Sequence, residues 1–174
     1  MTEWVSGRGA AEILGAAGIS RTMSCRILAA GLAGEPLRTS SATLYDASRV
    51  RGLLERRSVD VDHLPPPSDR ALLEIRVPPG STSESWTRIG NAGAIVRVQL
   101  RVLAQRHGFL PTVVTCCGFV LGGLEVTGAL PLNQASTSKL ETQPPGEWFT
   151  AFTGRRLHST AGNPWRLWLQ PAAA

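Results

Sequence analysis

In the first 57 residues apolar positions recur at helical spacing in three stretches. Ala10, Ala11, Ile13, Leu14 and Ala17 predict a short helix with a small apolar inner face, and Gly18 ends it where a positive φ angle is wanted. Ser20 suits the N-cap of a second helix over 21–30, with Ile19, Met23, Ile27 and Ala30 on one side and Gly31 as its stop. Its opposite face carries Arg21, Thr22, Cys25 and Arg26. The stretch 31–38 then reads as a break followed by a few extended residues, 39–43 as a turn, and Leu44-Tyr45 as a return strand, which together predict a small hairpin. Asp46 can cap a third helix over 47–57, where Val50, Leu53 and Leu54 form one stripe and Arg49, Arg51, Arg56 and Arg57 stay outside.

After residue 57 the pattern changes. SVDVDHLPPPSD over 58–69 is acidic and then proline-rich; Pro65, Pro66 and Pro67 exclude a helix and favour an extended spacer. Beyond it, 71–77 (ALLEIRV) predicts a strand, and 110–127 predicts two strands broken near Gly122-Gly123. Residues 91–106 fit a helix with Ile95, Val98 and Val102 on one side, or a strand with Val96, Val98, Leu100 and Val102 on one face; their length favours the helix. The expected class is therefore α+β, with a winged helix-turn-helix over 1–57, a linker over 58–69 and a small mixed α+β module over 70–171. The last stretch holds half of the aromatics: Trp148, Phe149, Phe152, Trp165 and Trp168. Beside Arg155, Arg156 and Arg166 these could close a small core, anchor a protein interface or stack on single-stranded nucleic acid.

Composition adds a bias. Eighteen basic against thirteen acidic residues leave a net charge of +5, a mild preference for polyanions, and every cation except Lys139 is an arginine. No stretch is apolar for long enough to span a membrane and the first residues lack the pattern of a signal peptide, so a cytoplasmic protein is expected. Cys25, Cys116 and Cys117 make neither a disulfide framework nor a zinc spacing; Cys25 reads as a small space-filling residue and the pair as core. His63, His107 and His158 are scattered, and no nucleophile–base pair, phosphate-cradling glycine loop or metal cluster stands out. No cofactor, metal site or enzymatic role is expected.

The pattern AAEILGAAGISRTMSCRILAAGL, then GEPLR, then LYDASRVRGLLERR resembles the DNA-binding domain shared by MerR-type regulators and phage-type excisionases. The elements that carry the resemblance are the turn Gly18-Ile19-Ser20, the Gly31-Leu32 step before the wing and the Tyr45-Asp46 pair before the closing helix. Leu14 stands where the family commonly has alanine, and Ser24 where an apolar residue is usual. The resemblance implies a double-stranded DNA reader. Ser20, Arg21, Thr22, Cys25 and Arg26 would then lie on the recognition helix, and Arg38, Ser40 and Ser41 at the wing. A transcriptional regulator is the expected role, with an excisionase-like or architectural factor, or a winged scaffold turned to protein binding, as alternatives. Because the third helix runs into the proline-rich stretch, no coiled coil can follow it; a homodimer on a two-fold operator would have to be held by 70–171, failing which the chain binds as a monomer or cooperatively along an array, and a protein partner is a further expectation.

Overall fold

The computed structural model describes residues 2–60, 71–131, 137–157 and 162–169. The chain divides into two compact units, one running to Arg57 and taking in Pro78–Gly80, the other beginning at Ser58. It combines helices and strands in the α+β manner. No described helix is long and apolar enough to cross a membrane.

In the first unit, strand β1 (Trp4–Ser6) leads into helix α1 (Gly7–Gly15), then α2 (Arg21–Ala29), strands β2 (Leu37–Arg38) and β3 (Thr43–Asp46), and helix α3 (Ala47–Glu55). The three strands form an antiparallel sheet in the order β1-β3-β2. Strand β1 had no signal in the sequence, because three residues are too few to display an alternation. Ala10, Leu14, Ile27, Leu28, Val50 and Leu53 are buried and form the unit's interior. Leu14 is enclosed completely, so the larger side chain is accommodated where the two helices meet.

The second unit opens with Ser58 and Val59. Ser58 bridges to Arg156, and the Val59 N–H donates to the Arg156 carbonyl at 2.7 Å. Val59 packs with Leu72, Val113, Phe152 and Leu157. The head of the expected linker therefore belongs to this unit, held by an apolar side chain inside an acidic run; the three prolines lie outside the described residues. Strand β4 (Ala71–Arg76) runs parallel to β6 (Leu110–Cys116), and α4 (Ala94–His107) lies between them in sequence. β6, β7 (Phe119–Pro131) and β8 (Ser138–Gln143) follow as an antiparallel meander. With β5 (Arg88–Ile89) and β9 (Trp165–Leu169) at the edges, the order among described strands is β5-β8-β7-β6-β4-β9.

Both faces of this sheet are covered, which explains why nearly all of β4 and all of β6 are buried. On one face Leu73, Ile75, Leu110, Val114 and Val126 pack with Leu100 and Ala104 of α4. On the other, Leu72, Val113 and Val120 pack with Phe152, Leu157, Trp148 and Phe149, which come from the short helical turn Glu147–Phe152 and the chain after it. Two adjacent glycines of β7 make room for aromatic rings on opposite faces. A Cβ at Gly122 would lie 2.6 Å from the Trp86 ring, and one at Gly123 would collide with Phe149. Gly122-Gly123 is therefore not the break in the hairpin: the chain reverses at Cys117-Gly118 instead.

Two buried carboxylates of the unit are tied down. Glu74 is fully buried, accepts a hydrogen bond from Thr115 Oγ1 at 2.9 Å and pairs with Arg76 at 3.0 Å. Glu125 accepts from Gln143, from the Gly146 N–H and from Trp148 Nε1 at 2.6–2.9 Å. Burial pushes its pKa upward, and the three donors together outweigh that and leave it below the ordinary glutamate value.

Helix α4 is rotated relative to its expected phase. Its inner face is Leu100 and Ala104, with Val96 and Leu103 beside them, whereas Ile95, Val98 and Val102 are 85, 60 and 40% exposed. The helix is apolar on two sides, so periodicity alone offers two stripes. Its arginines settle the rotation: Arg97 donates to Ala92 O and Ser138 Oγ, and Arg101 to Ala129 O.

Candidate nucleic-acid interface

The segment joining α1 and α2 is set by its last glycine. Gly18 takes φ +79°, the Ile19 N–H reaches back to Leu14 O at 3.3 Å, and the Gly18 N–H to Gly15 O at 2.9 Å. This pair of bonds satisfies carbonyls that the end of α1 would leave open. The same arrangement closes α2, with Gly31 at φ +70°, Leu32 N–H to Ile27 O and Gly31 N–H to Leu28 O. Two helices of nine residues are thereby stopped abruptly and redirected.

Ser20 caps α2: its Oγ accepts from the Met23 N–H at 3.3 Å. Ser24, an unusual polar residue on an inner face, is fully buried and donates its hydroxyl to Ser20 O at 3.1 Å. Ile27 and Leu28 complete the buried side. The face turned to solvent consists of Arg21, Thr22, Cys25, Arg26 and Ala29. Cys25 is exposed, at helical spacing from Arg21 and Ala29 on the outer face where the sequence pattern puts it. Arg21 opens the helix, whereas Arg26 lies in its last turn.

The hairpin projects a second exposed element. Leu37 pairs with Leu44 and Arg38 with Thr43. Thr39 holds the tip, its N–H and Oγ1 donating to Ala42 O while Oγ1 accepts from the Ala42 N–H at 3.0 Å. Arg38, Ser40 and Ser41 are all exposed there. Asp46 then caps α3 through Oδ1, accepting from Ser48 Oγ at 2.6 Å and from the Ser48 and Arg49 N–H groups. The Ser48 hydroxyl above all holds this carboxyl below the ordinary value of 3.8. Glu3 is lowered and Arg51 raised by their mutual hydrogen bond and charge at 2.8 Å.

Arg56 apart, the arginines of this unit fall into two sets. Arg8 pairs with Glu12, Arg49 with Asp46 and Arg51 with Glu3. Arg21, Arg26 and Arg38 have no ion pair with any described residue, and neither has Arg57 beyond α3. Sequence reasoning missed Arg8: with Ala11, Glu12, Gly15, Ile19 and Arg21 it lines an open groove of about 230 Å³ beside the start of α2. Its signal was its place in the first turn of α1, one turn before Glu12.

The C-terminal aromatics make contacts of their own within the second unit. Trp148 meets Phe149 and Phe152 edge-on at 5.9 and 5.7 Å, Trp165 Nε1 donates to Gly90 O, and the Arg166 guanidinium lies 3.6 Å over Trp168. Cys116 is buried as expected, but Cys117 is partly exposed at the hairpin turn. His107 is exposed at the end of α4, and His63 and His158 lie outside the described residues. Among the described residues no three or more His, Cys, Asp or Glu stand together as a metal site. Comparison with protein-family models, with curated proteins and with solved structures finds no match.

Proposed function

We propose that the first unit is a winged helix-turn-helix that reads double-stranded DNA, and that the protein is a cytoplasmic transcriptional regulator. The observation that carries this reading is the division of the arginines. Those on α1 and α3 are neutralised by carboxylates of the same unit, while Arg21 and Arg26 on the outer face of α2 and Arg38 at the hairpin have no ion pair among the described residues.

Helix α2 enters the major groove in this reading. Its free N-terminal N–H groups and Arg21 meet a phosphate, Thr22, Cys25 and Arg26 face base edges, and Arg38 with Ser40 and Ser41 grips the backbone or minor groove. Ser20 acts by shaping the helix start, since its hydroxyl is committed to the cap. The second unit supplies self-association or a partner contact, a role supported by the exposed row Ile95, Val98 and Val102.

Fluorescence anisotropy with labelled duplexes tests the assignment. Arg26→Ala is expected to reduce preference for the cognate duplex, a bidentate guanine contact being worth about 1–3 kcal/mol. Arg38→Ala is expected to weaken cognate and random duplexes alike and to lower the salt slope by about 1. Equal effects of the two changes on cognate and random DNA would remove Arg26 from the base-reading role.

A further inference from the structure

The open groove of about 230 Å³ between α1 and the start of α2 is lined by Arg8, Glu12 and Gly15 of α1 together with Ile19 and Arg21. Its charged groups are two arginines and one glutamate, and the glutamate is already engaged: Arg8 Nε donates to Glu12 Oε1 at 3.1 Å. A guanidinium carries five N–H donors. Glu12 takes the one on Nε, and the Nη1 and Nη2 groups of Arg8 make no hydrogen bond with a described residue. Arg21 has no ion pair among the described residues. The groove stays open at Gly15, where a Cβ would meet no atom within 4 Å. The fold does not depend on Arg8, whose side chain is 86% exposed in a surface pair of a kind that adds little to stability.

We infer that Arg8 and Arg21 clamp one backbone phosphate of the duplex between them across this groove. The inference rests on the reading of α2 as a DNA-reading helix and adds to it a contact from α1. Arg8 keeps Glu12 on Nε and turns the edge that carries Nη1 and Nη2 to the phosphate, so one planar fork serves two anions. The carboxylate that lines the groove is thereby neutralised on the spot, and the phosphate meets a net positive charge.

The test is fluorescence anisotropy of the full chain with a labelled random duplex over a series of sodium chloride concentrations. It compares the parent, Arg8→Ala, Arg21→Ala and the double change. Because the two arginines serve one phosphate, either single change is expected to weaken binding about tenfold at low salt and to leave the salt slope nearly as it was. The double change is expected to lower the slope by about 1. Arg51→Ala removes the same charge from an ion pair that does not line the groove, and is expected to weaken binding by less than about twofold.

If Arg8→Ala binds no more weakly than Arg51→Ala, the clamp is overturned while α2 stays a DNA reader. A slope lowered by about 2 in the double change would give the arginines separate phosphates and overturn the sharing. Inorganic phosphate that displaces the duplex better than chloride at equal ionic strength, in the parent but not in Arg8→Ala, would assign the groove to a free phosphate and overturn the diester. A parent that binds no duplex at any salt would remove the DNA reading itself, and the clamp with it.

Discussion

Gly123 shows how much a single hydrogen in place of a methyl group decides. Its missing Cβ is the space into which the Phe149 ring fits, so Gly123→Ala must displace that ring or the strand beneath it. We expect a loss of about 1–3 kcal/mol, as for other overpacked sites, partly recovered by Phe149→Leu in the same chain; thermal unfolding of the four variants measures it. Asp46 is the corresponding residue of the first unit. Its carboxyl is lowered in the folded state, so its contribution to stability is complete above 3.8 and is lost as pH falls through the lowered value. The stability difference between the parent and Asp46→Ala, followed by denaturant titration against pH, should be full at neutral pH and narrow below that window. Ser24 makes a complementary point: a polar residue on an inner face is tolerated because the carbonyl four residues back accepts its proton.

At the scale of elements, what the sequence disclosed depended on whether one signal spoke alone. The helices α1, α2 and α3 were legible because Ser20, Asp46, Gly18 and Gly31 mark their ends at the positions where caps and left-handed turns occur. The exposed face of α2 was legible for the same reason, since fixing the start of a short helix fixes which residues look outward. Helix α4 had no such constraint: Val96, Leu100 and Leu103 compete with Ile95, Val98 and Val102, and only tertiary bonds from Arg97 and Arg101 choose between them. Cys117-Gly118 was passed over as a turn because cysteine is foreign to that position, and Gly122-Gly123 was taken for one because paired glycines usually are. The rotation of α4 has a direct check. Leu100→Ala should cost about 2–5 kcal/mol, whereas Ile95→Gln should change stability by less than about 0.5 kcal/mol. Comparable losses from the two changes would mean that both stripes are buried.

For the molecule as a whole, the proposal assigns a DNA reader to the first unit and an association surface to the second. Helix α3 ends at Glu55 and Ser58 already belongs to the second unit, so no long helix continues from α3 to pair two readers. A two-fold site would then require the second unit, and the exposed row on α4 is the face on which to look. Sedimentation of the full chain and of Val98→Glu should show association that the charge abolishes; identical sedimentation would remove α4 from that role. The most direct test of the central claim is selection of binding sites by the full-length protein from a random duplex library, repeated with Arg21→Ala and Arg26→Ala in one chain. We predict a recovered motif that the double substitution erases while salt-dependent attraction to DNA persists. Enrichment of no motif by the parent, or the same motif from the substituted chain, would contradict α2 as the reading helix.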